Sequence, residues 1–460
     1  MDYSITFENK DYDSLTEYLF KVPGIEQAAY ALGRISRTEN ETRLLIREIL
    51  PLIPEEIIEA ASNHMIISSL SVSRALKKAD QTKQCFIFIH SHPDSVPMHS
   101  QQDDLEEKKL FSTAYTRIHS EEVHGSIIFS SPEMSIARIW LEDGTYTPVK
   151  VIRTVGDRFR FFYNQKPEDS LDEIYDRQVR AFGKDIQRIL NNLTIGIVGV
   201  GGTGSSIAEQ LIRLGVGKLI IADSQNFEKS NINRLYGSKI TDENRKKVDI
   251  INDLSENIGL ETKLVTINKD ITFKSSTEKF KECDIIFGCT DDEWGRSLLN
   301  RLSVYYLIPV FDMGVKIDSG NGIIKAIAGR VTILLAGEAC LFCRERLNPE
   351  NINNEYMQAL YPEEAKKRRK EGYIPELAET APAVIPFTTT IASTAIMMLL
   401  HKLTGYMGKD FNSSEIIVKY HELSIRSNKR PFNQNCFCAD PYYRGRGDVK
   451  PLLDTTWRPE

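Results

Sequence analysis

The stretch Thr194-Ile195-Gly196-Ile197-Val198-Gly199-Val200-Gly201-Gly202-Thr203-Gly204 narrows the possible folds more than any other. It reads as a short buried strand and a glycine-rich turn, followed by a helix with apolar positions at Ile207, Leu211 and Leu214. A strand, a G-x-G-x-x-G turn and a helix make a nucleotide cradle in an α/β domain. Gly199 permits the tight turn, Gly201 lets a phosphate approach the backbone, and Gly204 lets helix and strand pack closely. Free N–H groups at the helix start then face the anion.

Downstream residues restrict the ligand. Lys218-Leu219-Ile220-Ile221-Ala222-Asp223 is a second strand ending in an acid, at the interval where a dinucleotide fold binds a ribose hydroxyl. Up to this point a nicotinamide enzyme is equally allowed. Ser230-Asn231-Ile232-Asn233-Arg234 comes next. A triphosphate attacked at its α-phosphorus needs such a cluster, because charge develops on the departing pyrophosphate. Lys246 and Lys247 on the following helix reach toward the same phosphates, and Cys283 to Asp291 is another buried strand ending in an acid able to hold Mg²⁺.

Together these pieces resemble the ThiF/MoeB and ubiquitin-activating adenylyltransferase family over roughly residues 172–425. The matching motifs are Ile174-Tyr175-Asp176-Arg177-Gln178, the glycine loop, the Ser230–Arg234 segment, and Thr290-Asp291 through Arg296. The resemblance implies that Gly199, Gly201, Gly202 and Gly204 cradle ATP and that Asp223 binds ribose. Asn231, Arg234 and Lys247 would contact phosphates, Asp291 would serve Mg²⁺, and Arg177 would reach across a homodimer. The implied reaction joins the C-terminal glycine carboxylate of a ubiquitin-like or sulfur-carrier protein to AMP. Gln225 stands where the family has a second acid, and Arg296 reads either as a site residue or as the partner of an acid.

Cys340-Leu341-Phe342-Cys343 and Cys436-Phe437-Cys438 are two cysteine pairs. Four thiolates make a closed, structural zinc site. The family often carries one, though with C-x-x-C in the second pair; the other reading is two unrelated reduced pairs. Several relatives also pass the activated carboxylate to a cysteine. Between Arg344 and Pro386 there is none, and Glu379-Thr380-Ala381-Pro382 stands where relatives read S-C-A. The acceptor is therefore expected on another molecule, such as a separate conjugating enzyme. The run Lys366-Lys367-Arg368-Arg369-Lys370 reads as a solvated helix face or as a guide for an acidic tail.

The N-terminal part carries different chemistry. A compact apolar strand, Cys85 to Ile89, delivers His90-Ser91-His92-Pro93. Residues two apart on a strand point the same way, so both imidazoles can converge on one metal. With Asp103 they leave a fourth zinc position open, the pattern of a catalytic site. The run His90-Ser91-His92-Pro93, seven residues, then Ser100-Gln101-Gln102-Asp103, is similar to the motif of JAMM (MPN/JAB) metalloproteases. That resemblance covers about residues 1–145. It implies zinc on His90, His92 and Asp103, with Glu26 as general base and Ser100 stabilising the oxyanion. Glu39, Glu41 and Glu48 compete with Glu26 for the base; His99 reads as a loop residue, and Glu106 and Glu107 as a solvated helix face.

A net charge of -6 argues against nucleic acid as the main partner. No apolar run reaches the roughly 18 residues of a membrane span, and Met1-Asp2-Tyr3-Ser4 opens no secretory signal, so a cytoplasmic protein is expected. The expected organisation is a JAMM-type α/β metalloprotease domain over 1–148 and a linker over 149–171 with a boundary near Lys166–Ser170. A Rossmann-like ThiF-type domain over 172–425 and a tail over 426–460 that contributes to the zinc knuckle complete it. The expected cofactors are ATP, Mg²⁺ and two Zn²⁺, one catalytic and one structural. The expected function has two heads, one activating a modifier's C-terminal glycine and one cutting behind such a tail. Alternatives are activation of a sulfur carrier or peptide for cofactor or natural-product synthesis, and a scaffold with inactive sites.

Overall fold

The computed structural model describes residues 1–61, 64–93, 96–120, 123–164, 172–320, 323–370, 382–408 and 410–460. The chain divides into two compact units. The first comprises Met1–Glu168, Tyr305–Leu307 and Tyr442–Lys450; the second comprises Asp169–Val304, Ile308–Pro441 and Pro451–Glu460. The expected boundary at Lys166–Ser170 and the Glu379–Ala381 segment lie outside the described residues.

In the first unit the elements run β1 (Asp2–Glu8), α1 (Asn9–Leu19), β2 (Ala28–Arg37), β3 (Glu41–Pro51), β4 (Ile57–Ala60), β5 (Met65–Ile67), α2 (Ser69–Thr82) and β6 (Cys85–Ser91). There follow α3 (Gln101–Arg117), β7 (His124–Ser131), β8 (Met134–Trp140), β9 (Tyr146–Pro148), β10 (Val151–Val155) and β11 (Arg160–Tyr163). Nine strands form one sheet in the order β11-β10-β1-β3-β2-β6-β7-β8-β9, and β4 pairs with β5 separately. The stretch expected as a linker thus supplies two strands, with β10 parallel to β1. Strand periodicity divides the core between the two faces. Ala29, Ala31, Ile87 and Ile89 pack with Tyr12 and Leu15 of α1. Ala28, Tyr30, Leu32 and Phe86 pack on the other face with Ala75 of α2 and Phe111 of α3. His90 shares the parity of Phe86 and Phe88, so it faces the α3 side.

In the second unit the helices are α4 (Asp176–Phe182), α5 (Lys184–Asn192), α6 (Gly202–Arg213), α7 (Lys247–Ile258), α8 (Lys274–Phe280), α9 (Glu293–Tyr306), α10 (Pro349–Leu360), α11 (Pro362–Lys370) and α12 (Ile385–Thr404). The strands are β12 (Thr194–Val198), β13 (Lys218–Ala222), β14 (Lys263–Ile267), β15 (Ile285–Gly288), β16 (Val310–Gly320), β17 (Ile323–Leu334), β18 (Glu415–Lys419) and β19 (Ser424–Asn428). Their order is β14-β13-β12-β15-β16-β17-β18-β19. The first five are parallel and β17 to β19 are antiparallel. Strand order reverses between β12 and β15, where open α/β sheets bind ligands beyond the strands' carboxyl ends. α12 lies against β17, where a Cβ on Gly329 would stand 2.3 Å from Ile391. Among the described residues no helix is long and apolar enough to cross a membrane.

Candidate active sites

The glycine loop occupies that switch point. Gly199 has φ +87, and its N–H donates to Ala222 O. A Cβ there would meet Cys289 O at 2.9 Å, so the loops after β12 and β15 touch. A Cβ on Gly204 would lie 1.9 Å from Gly199 O, the close helix–strand approach for which glycine is needed. Gly201 precedes α6 and faces open space. Gly202 lies against the Arg234 side chain.

Asp223 is buried and holds the loop itself. Its carboxylate accepts from Val200 N at 2.9 Å and from Gln225 N at 2.8 Å. Asn231 is buried and accepts from Glu228 N, while Arg234 donates to Ser230 O. Lys247 is buried at the start of α7, with Nζ on Gln225 Oε1. Asp291 is exposed; its neighbour Asp292 instead caps α9, accepting from Gly295 N, and burial pushes its carboxyl up. Arg177 is exposed on α4.

Arg296 is paired: Nε and Nη2 bind Asp312 at 2.8 and 2.9 Å. Burial alone would raise the Asp312 carboxyl, but Arg330 and Arg296 hold it low. Burial, with Asp312 nearby, pushes the Cys289 thiol up, which suits a strand-end residue rather than a nucleophile.

The four cysteines of the two pairs converge. Cys340 and Cys343 sulfurs are 3.8 Å apart, Cys340 and Cys436 3.5 Å, and Cys343 and Cys438 3.5 Å. Tetrahedral zinc with bonds of about 2.3 Å sets sulfurs about 3.8 Å apart, so the C-x-C spacing still fits the ion. All four are free thiols. Asn433 N donates to Cys343 Sγ at 3.2 Å. The sulfur contacts, that with Cys340 first, pull the Cys436 thiol well below its usual range.

In the first unit His90, His92 and Asp103 also converge. Nε2 of His90 and Nε2 of His92 are 3.1 Å apart; Asp103 Oδ1 is 3.3 Å from the former, and Oδ2 is 3.6 Å from the latter. A tetrahedral ion with bonds of about 2.0–2.2 Å needs ligand atoms about 3.3–3.5 Å apart, so the three donors fit zinc. Ser100 caps α3 reciprocally with Asp103: its N–H donates to Oδ2 at 2.6 Å, and its Oγ accepts from Asp103 N at 3.1 Å. Burial alone would raise the Asp103 carboxyl, but His90 and then the Ser100 donors hold it low. Glu26 lies two residues before Ala28, which pairs with His90 across β2 and β6. It is buried, and that burial pushes its carboxyl up while His90 opposes the shift.

Glu107 corrects the sequence reading. It is not solvated but buried on α3, where its Oε2 accepts from Ser126, Arg138 and Trp140. Its carboxyl is held at about 2: burial opposes ionisation, but His99, Arg138 and Ser126 outweigh it. Glu41, a competitor for the base, is instead tied to Ser4, Arg43 and Arg153. The α11 basic run meets local partners, with Lys366 on Glu363 and Arg368 on Glu364.

Residues 175–438 match the model of the ThiF family. The chain is 31% identical over 179 residues to ubiquitin-like modifier-activating enzyme 5 of Culex quinquefasciatus, covering 36% of this chain and 43% of that protein. It is 29% identical over 167 residues to the Dictyostelium discoideum protein of the same name, covering 34% and 42%. The chain thus spans less than half the length of these curated relatives. A solved structure of E. coli MccB with ATP aligns at 18% identity and TM-score 0.45, over 60% of this chain and 76% of that one.

Proposed function

The chain belongs to the ThiF family, and from that premise we propose that its second unit adenylates the C-terminal glycine carboxylate of a ubiquitin-like or sulfur-carrier protein. A carboxylate oxygen attacks the α-phosphorus of ATP, the bond to the β-phosphate breaks, and pyrophosphate leaves with the electron pair. The N-terminus of α6 and the open face of Gly201 receive the phosphates. Arg234 and Lys247 neutralise charge on the leaving group, Asn231 donates to it, and Asp223 takes the ribose. Asp291 would hold Mg²⁺, which shields the phosphate charge. Arg177 completes the site of a partner subunit in a homodimer. The observation that carries this reading is a family match spanning the glycine loop, Asn231–Arg234 and Asp291 in one continuous region.

The first unit is proposed to be a zinc peptidase of JAMM type acting on modifier tails. The observation behind it is the mutual spacing of 3.1, 3.3 and 3.6 Å among the His90, His92 and Asp103 donor atoms. His90, His92 and Asp103 would hold the zinc, which would supply Lewis-acid chemistry and lower the pKa of water. Glu26, its carboxyl raised by burial, takes a proton and returns it to the leaving amine. The Ser100 hydroxyl donates to the oxyanion. The cysteine cluster is proposed as a second, structural zinc site.

The test is ATP–pyrophosphate exchange against small diglycine-ending proteins, each supplied as precursor and as trimmed form. Exchange with a trimmed carrier is expected. His90→Ala should abolish exchange with the precursor alone if trimming precedes activation. No exchange with any carrier, together with no ATP binding, sinks the adenylation reading.

A further inference from the structure

Glu107 and His99 lie outside both proposed sites, yet each is left incomplete in a way that points at the other. Glu107 is a buried acid on α3, one helical turn beyond Asp103 and on the same face. Its Oε2 receives Ser126 Oγ at 2.5 Å, Trp140 Nε1 at 2.7 Å and Arg138 Nε at 2.9 Å. These donors come from β7 and β8. The other buried residues of α3, Phe111 and Ala114, lie further along it. Glu107 is thus the buried anchor of the helix's first half, and it sets the rotation that aims Asp103 at the histidines.

The second carboxylate oxygen, Oε1, is buried without a hydrogen bond among the described residues, and so are both ring nitrogens of His99. His99 Nδ1 stands 3.6 Å from Oε1. A structural partner for Arg138 would not require that spare oxygen to face an enclosed imidazole, since a buried acceptor left unpaired is costly. A shift of a few tenths of an ångström by a protonated Nδ1 would close the hydrogen bond. His99 directly precedes Ser100, the N-cap that binds Asp103 reciprocally.

We propose that His99 and Glu107 form a positioning pair, in which one carboxylate clamps both ends of the segment carrying Ser100 and Asp103. The inference rests on the reading of His90, His92 and Asp103 as a metal site. A group that orients ligands in this way typically alters metal affinity about 10–100-fold when lost.

The experiment uses the full chain with the cysteine cluster first filled with Zn²⁺. Co²⁺ is then titrated, and its visible absorption and dissociation constant are read beside the melting temperature. His99→Ala should weaken Co²⁺ binding about 10–100-fold and change the absorption bands, with melting little altered. His99→Gln, whose amide can donate to Oε1, should restore most of both. Glu107→Gln strands buried Arg138 and risks misfolding, so the His99 variants decide. Wild-type affinity and bands in His99→Ala overturn the pair, as does a lower melting temperature with unchanged Co²⁺ binding. If the wild-type chain binds no Co²⁺ outside the cysteine cluster, the metal reading fails and the pair with it. Tight Co²⁺ binding without peptidase activity removes only the peptidase reading.

Discussion

Lys247 and Gln225 are joined by a 2.5 Å hydrogen bond from Nζ to Oε1. Gln225 in turn donates its N–H to Asp223, so Asp223 and Lys247 share one neutral residue between them. A neutral acceptor holds the ammonium without consuming its charge. Lys247→Ala should therefore lower pyrophosphate exchange about 10²–10³-fold, the loss expected for one preorganised donor to a transition-state charge. Gln225→Glu should pair with the lysine and weaken ATP binding about ten-fold, or ~1.4 kcal/mol. Fluorescence titration with ATP checks the second value.

Two glycines of the loop should separate folding from binding. Gly204→Ala forces a methyl against Gly199 O, so the second unit should melt lower and lose ATP binding together. Gly201→Ala meets no heavy atom within 4 Å. It should leave melting unchanged and weaken ATP alone, as read by calorimetric titration and thermal unfolding.

The first unit should lose stability in acid through Glu41. Burial alone would raise its carboxyl, but Arg153 and Arg43 outweigh that and hold it well below the usual range. The unfolded chain then binds more protons than the folded one in acid, so stability rises with pH. The contribution is full well above the ordinary glutamate pKa and drains away as pH falls through it toward the depressed folded value. Melting followed from pH 5.5 down to 3 should decline less steeply in Glu41→Gln than in the wild-type chain.

Metal content should report the cysteine cluster. Cys436→Ser is expected to remove one zinc per chain and to lower the melting temperature of the second unit, because a structural zinc contributes folding energy directly. His92→Ala should remove the other zinc with little change in melting. Elemental analysis beside calorimetry distinguishes the two.

What could be read from the sequence was local. The glycine loop, the H-x-H strand end and the cysteine pairs carry their geometry in their spacing. β1 carries no legible signal because its alternation, Ser4-Ile5-Thr6-Phe7, is brief and buried on both faces. Residues 149–171 read as a linker because Arg153 and Arg160 interrupt the apolar pattern; Arg153 is satisfied by Glu41, 112 positions away. Glu107 looked solvated for the same reason. Its partners at 126, 138 and 140 belong to other strands, and no periodicity along α3 announces them. Arg296 had two readings until the register of β15 and β16 brought Asp312 beside Gly288.

The pairing of β12 with β15 also governs when the proposed nucleotide site can come into being. Val198 lies opposite Gly288, although β13, β14 and three helices intervene along the chain. Closing so long a loop costs entropy before any contact rewards it. The touch between Gly199 and Cys289 O therefore requires β15 to be in place. A nascent chain that has emerged only as far as α8 carries every glycine of the loop and no site.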